Sequence, residues 1–174
     1  YIDQKPENEK EAEVRGELSP VASRILMKVL YAARMARPDL LRATCYLATR
    51  ITRWTPQCDR MLYRLMCYID SSMDIMMHGW VGDASCDLEV CLYTDADFAG
   101  DPDTARSTSG AFLCLRGPNT FVPLGFASKR QTCVSHSTPE AELVAADFGV
   151  RGVGLPSLSL WELLLSKPPK FTWY

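Results

Sequence analysis

The chain has 174 residues, 47% of them hydrophobic and 23% charged, with a formal net charge of −2. That leaves room for one domain, or a small domain with an appendage, of ordinary soluble composition. No run approaches the ~20 consecutive apolar residues that cross a bilayer, and the acidic, polar N-terminus does not read as a signal or transit peptide. Seven cysteines without a Cys-x-x-Cys argue for free thiols in a reducing, intracellular compartment. With two histidines, a Cys/His zinc site is not expected.

Charge is distributed unevenly. Residues 1–18 carry three basic and six acidic side chains, residues 19–69 nine and two, and residues 70–174 seven and thirteen. A cationic block beside an anionic one suits a protein that grips phosphate with one part and holds metal with another. The same arginines also fit the solvated faces of amphipathic helices, and both readings stay open.

In chain order, residues 1–18 read as a flexible acidic arm, polar and without apolar periodicity. Residues 19–72 read as three helices punctuated by prolines. Ser19-Pro20 and Thr55-Pro56 look like N-caps followed by proline in the first turn. Val21, Ile25, Val29 and Ala33, then Met61, Leu62, Leu65, Met66 and Ile69, form apolar stripes that suit a core. From residue 73 the period becomes that of strands. Segments 74–80, 88–95, 109–115 and 121–128 are expected to be extended, the last two as a hairpin around Gly117-Pro118-Asn119. By the two-residue alternation Asp95 and Asp97 share the face of Cys91 and Tyr93. Ser137 and Glu140 have capping-box spacing and predict a helix from about residue 138, which Gly149, Gly152, Gly154 and Pro156 are expected to weaken or interrupt. A helical pattern resumes over Leu158–Leu165.

Two short segments carry the chemistry. Tyr93-Thr94-Asp95-Ala96-Asp97-Phe98-Ala99-Gly100 reads as a strand ending in acidic residues, and Ser137-Thr138-Pro139-Glu140-Ala141-Glu142-Leu143 as a helix start with two glutamates. Together with Arg106-Ser107-Thr108-Ser109-Gly110 and Ala127-Ser128-Lys129-Arg130-Gln131, these blocks resemble the ribonuclease H domain of copia-like retrotransposon polyproteins. The likeness lies in its Asp-Ala-Asp-Trp-Ala-Gly, Arg-Ser-Thr-Ser-Gly, Ser-Ser-Lys-Lys-Gln and Ser-Thr-Glu-Ala-Glu runs, with Pro139 as one extra residue. Upstream, Ala36-Arg37-Pro38-Asp39-Leu40 resembles the Thr-Arg-Pro-Asp-Ile block near the end of that family's reverse transcriptase region.

The resemblance implies hydrolysis of the RNA strand of an RNA–DNA hybrid by a two-metal mechanism with Mg2+. It assigns Asp95 and Glu142 as catalytic residues and metal ligands. Carboxylates are the hard oxygen donors that magnesium requires. Glu140 is assigned to helix capping, and Asp97 to the turn or to a supporting position. Lys129, Arg130 and Gln131 are candidates to contact the hybrid backbone, with an exposed polar turn as the plain alternative. The family also places a third aspartate, beside an asparagine, in the strand after the helix. Phe171-Thr172-Trp173-Tyr174 looks like the approach to that strand, and no Asp-Asn pair follows.

The expected architecture is α+β: a flexible arm over 1–18, a helical remnant of the reverse transcriptase region over 19–72, and a C-terminally incomplete ribonuclease H-like domain over 73–174. That domain is expected to be an antiparallel meander with a packed helix, and its hydrolysis is expected to be impaired. The alternative function is a non-catalytic structural or interaction module, a reused retroelement fragment that binds a protein partner.

Overall fold

The computed structural model describes residues 14–165 and 168–174, so the acidic arm lies outside the described residues up to residue 13. Two compact units divide between Met76 and Met77.

The first unit is helical: α1 (Ser19–Met35), α2 (Leu41–Ala48) and α3 (Pro56–Ser71), with single 3-10 turns at Pro38–Leu40 and Ile51–Arg53. The buried face of α1 is Ala22, Leu26, Val29 and Ala33, one residue round from the Val21/Ile25 stripe that the sequence suggests. The N-terminus of α1 is capped from a distance rather than by Ser19. Asp59 of α3 accepts from the backbone N–H groups of Glu17 (2.7 Å) and Leu18 (3.2 Å). Thr55 does adopt the extended cap conformation before Pro56, as expected.

The second unit is a four-stranded sheet with a long helix on one face. Its strands are β1 (Glu89–Asp97), β2 (Thr108–Gly117), β3 (Thr120–Arg130) and β4 (Lys170–Trp173), in the order β3-β2-β1-β4. The meander β1–β2–β3 is antiparallel, and Pro118-Asn119 makes its two-residue hairpin loop. Two expectations need correction. The segment 74–80 is not a strand: among the described residues it pairs with the sheet through an isolated bridge between Trp80 and Phe121. Ile75 and Met76 are more than half exposed. Phe171, Thr172 and Trp173, read as the mere approach to a strand, lie in one. β4 runs parallel to β1 with Glu89 opposite Lys170 and Leu92 opposite Trp173, which makes the sheet mixed. The α+β class stands.

The helix over the sheet comprises α4 (Thr138–Gly149), a π-turn (Val150–Gly154) and α5 (Leu155–Leu165). The Ser137 hydroxyl caps it by accepting from Glu140 N–H, and Glu140 reaches back to His136 N–H (2.7 Å), a close variant of the expected box. The expected weakening takes the form of the π-turn at Val150–Gly154, and the helix is not broken there. The helix runs from Thr138 to Leu164, 27 residues, long and apolar enough by length and composition to cross a membrane. The glycines serve close packing. A Cβ on Gly149 would strike Thr94 Cγ2, and one on Gly154 would press on Phe171 and Leu92. The shifted hydrogen-bonding of the π-turn falls just before Pro156, where the backbone donor is missing.

The core lies between this helix and the sheet: Leu88, Val90, Leu92, Ala111, Leu113 and Leu115, closed over by Phe148, Val153, Trp161 and Phe171. The opposite face carries a row of rings. Tyr174 stacks on Tyr93 (4.8 Å), Tyr93 on Phe112 (6.0 Å) and Phe112 on Phe126 (5.3 Å), one ring per strand or strand end across the sheet.

Candidate metal and nucleic-acid site

The packing of α4 fixes which end of the sheet holds the chemistry. Gly149 sits on Thr94, while Ala141 and Ala145 cluster with Ala96. The helix therefore runs antiparallel to β1, and its N-terminal end lies over the C-terminal end of that strand. Asp95 and Glu142 are thus at the same end. Asp95 is exposed, two residues before β1 stops; Glu142 is half-buried, between the buried Ala141 and Ala145.

They do not share a face. Thr94 and Ala96 turn toward α4, so strand alternation turns Asp95 the other way, with Tyr93. Its cross-strand partner is Gly110, which puts no side chain beside the carboxylate. A ligand shared by Asp95 and Glu142 has to sit at the end of β1, not beneath the helix. Among the described residues there is no group of three or more His, Cys, Asp or Glu able to hold a metal ion. Asp97 folds its carboxylate over Gly100, where any Cβ would collide with it, consistent with its reading as a turn residue.

The three residues after Ser128 have different fates. Gln131 is 5% exposed. Its amide donates to Ser109 Oγ (3.0 Å) and to the Ala141 carbonyl (2.9 Å), and its carbonyl accepts from Ser135 Oγ (3.3 Å). It is a structural bridge between β3 and α4, which leaves Lys129 and Arg130 as the cationic groups of the triplet. Arg130 is aimed by Asp101, at 2.8 Å. Asp101 is itself nearly buried and also accepts from Thr104 Oγ1, 2.7 Å. Burial raises the Asp101 carboxyl, but its bonds from Thr104 and Arg130 outweigh that and hold it below the ordinary value. Lys129 places its ammonium 5.5 Å from the centre of the Phe148 ring. Sequence reasoning missed a third cation on this side, Arg151. Its signal is the four-residue spacing from Asp147, legible only if the helix continues through Gly149.

The chain resembles known proteins in sequence. It is 29% identical over 139 residues to the retrovirus-related Pol polyprotein from transposon TNT 1-94 of Nicotiana tabacum, covering 77% of this chain and 10% of that one. It is 31% identical over 123 residues to the retrovirus-related Pol polyprotein from transposon RE2 of Arabidopsis thaliana, covering 71% of this chain and 8% of the polyprotein. It is 30% identical over 117 residues to the secreted RxLR effector protein 161 of Plasmopara viticola, covering 67% of this chain and 78% of that protein. The chain thus spans a small fraction of the polyproteins it matches. No family model and no solved structure matches it.

Proposed function

The chain is of retrotransposon origin and belongs to one family with the Plasmopara viticola protein, and from that premise we propose that its second unit is a ribonuclease H-like domain acting on RNA–DNA hybrids. One observation carries the reading: the helix packing that sets Asp95 and Glu142 at the same end of the sheet. Their donor chemistry fits magnesium, which keeps several waters and takes one or two carboxylates together with substrate phosphates. When bound, a divalent ion supplies Lewis-acid polarisation of a phosphoryl oxygen. Asp95 and Glu142 contribute negative charge and oxygen ligands at the mouth of the sheet, and Gly110 keeps the approach to Asp95 open. Lys129 and Arg130, two strands away, contribute positive charge toward the nucleic-acid backbone.

The test is ion binding followed by cleavage. Titration with Mn2+ as a paramagnetic stand-in should show a site that Asp95→Asn and Glu142→Gln each weaken by roughly tenfold or more. Hybrid cleavage by residues 1–174 is expected to be slow, because two carboxylates offset only part of the repulsion between two divalent ions. Ion binding indifferent to both substitutions would defeat the assignment.

A second reading, a non-catalytic module that binds a protein partner, has one observation in its favour. Leu155, Leu160, Leu163 and Leu164 of the long helix are each more than half exposed. Full retention of partner binding by the Asp95→Asn chain, with no ion site, would favour it.

A further inference from the structure

A groove of about 520 Å³ lies between the end of β3 and the flank of α4 and the π-turn. Lys129, Arg130 and Thr132 line one side of it, and Asp147, Phe148 and Arg151 the other. Three cations and one carboxylate line it, and a second carboxylate, Asp101, bonds Arg130 from behind. The lining carboxylate, Asp147, meets Arg151 at 3.7 Å, and both side chains are largely exposed, so water screens the pair and little holds it closed. The other two cations are oriented from behind. Asp101 aims the Arg130 fork, and the Phe148 ring steadies the Lys129 ammonium. Gln131, whose amide is fully engaged within the protein, also lines the groove.

We infer that this groove binds the phosphate oxygens of a polynucleotide backbone. A planar guanidinium held in place, a second guanidinium on a loose tether and an ammonium together match a phosphodiester and carry no base-reading pattern. Its location favours a long anion over a small one. Arg130 pairs with Thr108, and Thr108 with Asp97, so the groove opens two strand spacings, about 10 Å, from the end of β1. A strand laid across that end of the sheet reaches both the carboxylates and the groove. The polynucleotide identity rests on the function proposed above, whereas groove binding itself requires no metal.

The experiment is fluorescence anisotropy of a labelled RNA–DNA hybrid with the full chain, in EDTA, over a series of salt concentrations. Lys129→Gln combined with Arg151→Gln is expected to weaken binding roughly tenfold and to lower the log–log salt slope by about two. Asp147→Asn is expected to tighten binding, because it removes the anion that pairs with Arg151. Neither set touches a buried group, and the cationic helices of the first unit are unchanged in every variant, so the difference reads the groove. Unchanged affinity and slope in the double variant would overturn the inference, and so would a native chain that does not bind the hybrid at low salt. Inorganic phosphate is the second probe. Weak competition supports the polynucleotide, whereas complete displacement through the same side chains would assign the groove to free phosphate. Asp95→Asn should bind like the native chain in EDTA. Loss of its ion site with groove binding intact concerns the metal assignment, and loss of groove binding with the ion site intact concerns this one.

Discussion

The Gln131 side-chain amide donates to the Ala141 carbonyl at 2.9 Å, joining the end of β3 to the first turns of α4. The same amide also serves Ser109 and Ser135 inside the protein. Gln131→Ala would strand these buried groups and should cost about 2–4 kcal/mol. Urea denaturation should show a lower midpoint with an unchanged slope. Gln131→Glu should cost more, since a carboxylate offers oxygen where the Ala141 carbonyl needs a donor. A shift below about 0.5 kcal/mol for both would contradict the bridging role.

Cys91 and Cys114 are directly opposed on β1 and β2, both fully buried. They should nevertheless stay reduced. Thr94 N–H and the Leu92 carbonyl bond to Tyr174, so the even residues of β1 aim at β4 and the odd ones at β2. The cysteine pair is therefore a hydrogen-bonded one, whose Cβ atoms stand near 5.5 Å, beyond the roughly 3.5–4.5 Å of a relaxed disulfide. Burial pushes the Cys91 thiol up to about 11, leaving about one thiolate per thousand molecules at pH 8. Native-state alkylation read by mass spectrometry should label the exposed Cys67, Cys86 and Cys133 and spare this pair, and diamide should not cross-link Cys91 to Cys114.

The docking of β4 should depend on acid. The bond from Lys170 holds the Glu89 carboxyl below its ordinary value of 4.5, helped by Thr172. A depressed folded-state value means that the stabilisation is complete above the unfolded value and is lost as pH falls through the folded one. Stability measured at pH 7 and pH 3 should fall less for Glu89→Gln than for the native chain. An equal fall in the two chains would remove Glu89 from the acid response.

Gly149→Ala should destabilise by about 1–3 kcal/mol despite the better helix propensity of alanine, because its Cβ would enter the space of Thr94 Cγ2. Adding Thr94→Ser, which removes that methyl, should restore much of the loss. Independent effects of the two substitutions would show that the helix does not approach the sheet at this point.

Much of the fold was legible because the local signals agree with one another. Alternation over 88–95, the two-residue Pro118-Asn119 turn and the Ser137/Glu140 spacing each locate an element without help from distant residues. The failures occur where distant contacts decide. Gly149 and Gly154 read as residues that weaken or interrupt the helix, and a π-turn does follow Gly149, but their close packing on Thr94, Leu92 and Phe171 had no local signal. Ile75 and Met76 look like strand residues, but both are more than half exposed and lie outside every strand among the described residues. In the candidate site, the alternation that puts Asp95 on the Tyr93 face was readable in advance. Which face α4 would cover was not, and neither was the burial of Gln131 within a basic triplet.

The parallel pairing of β4 with β1 sets an order of events in folding. Thr172 and Glu89, which it brings together, are 83 positions apart. The meander, in contrast, closes through short connections. Chain closure over so long an interval is slow. The meander should therefore form first, and the C-terminal strand should dock last and open first. In native-state hydrogen exchange the amides of β4 should release their protons earlier than those of β2, while the meander beneath stays closed. During synthesis β1 emerges well before β4 and presents an unpaired edge until β4 has left the ribosome, an interval in which that edge can pair with another chain.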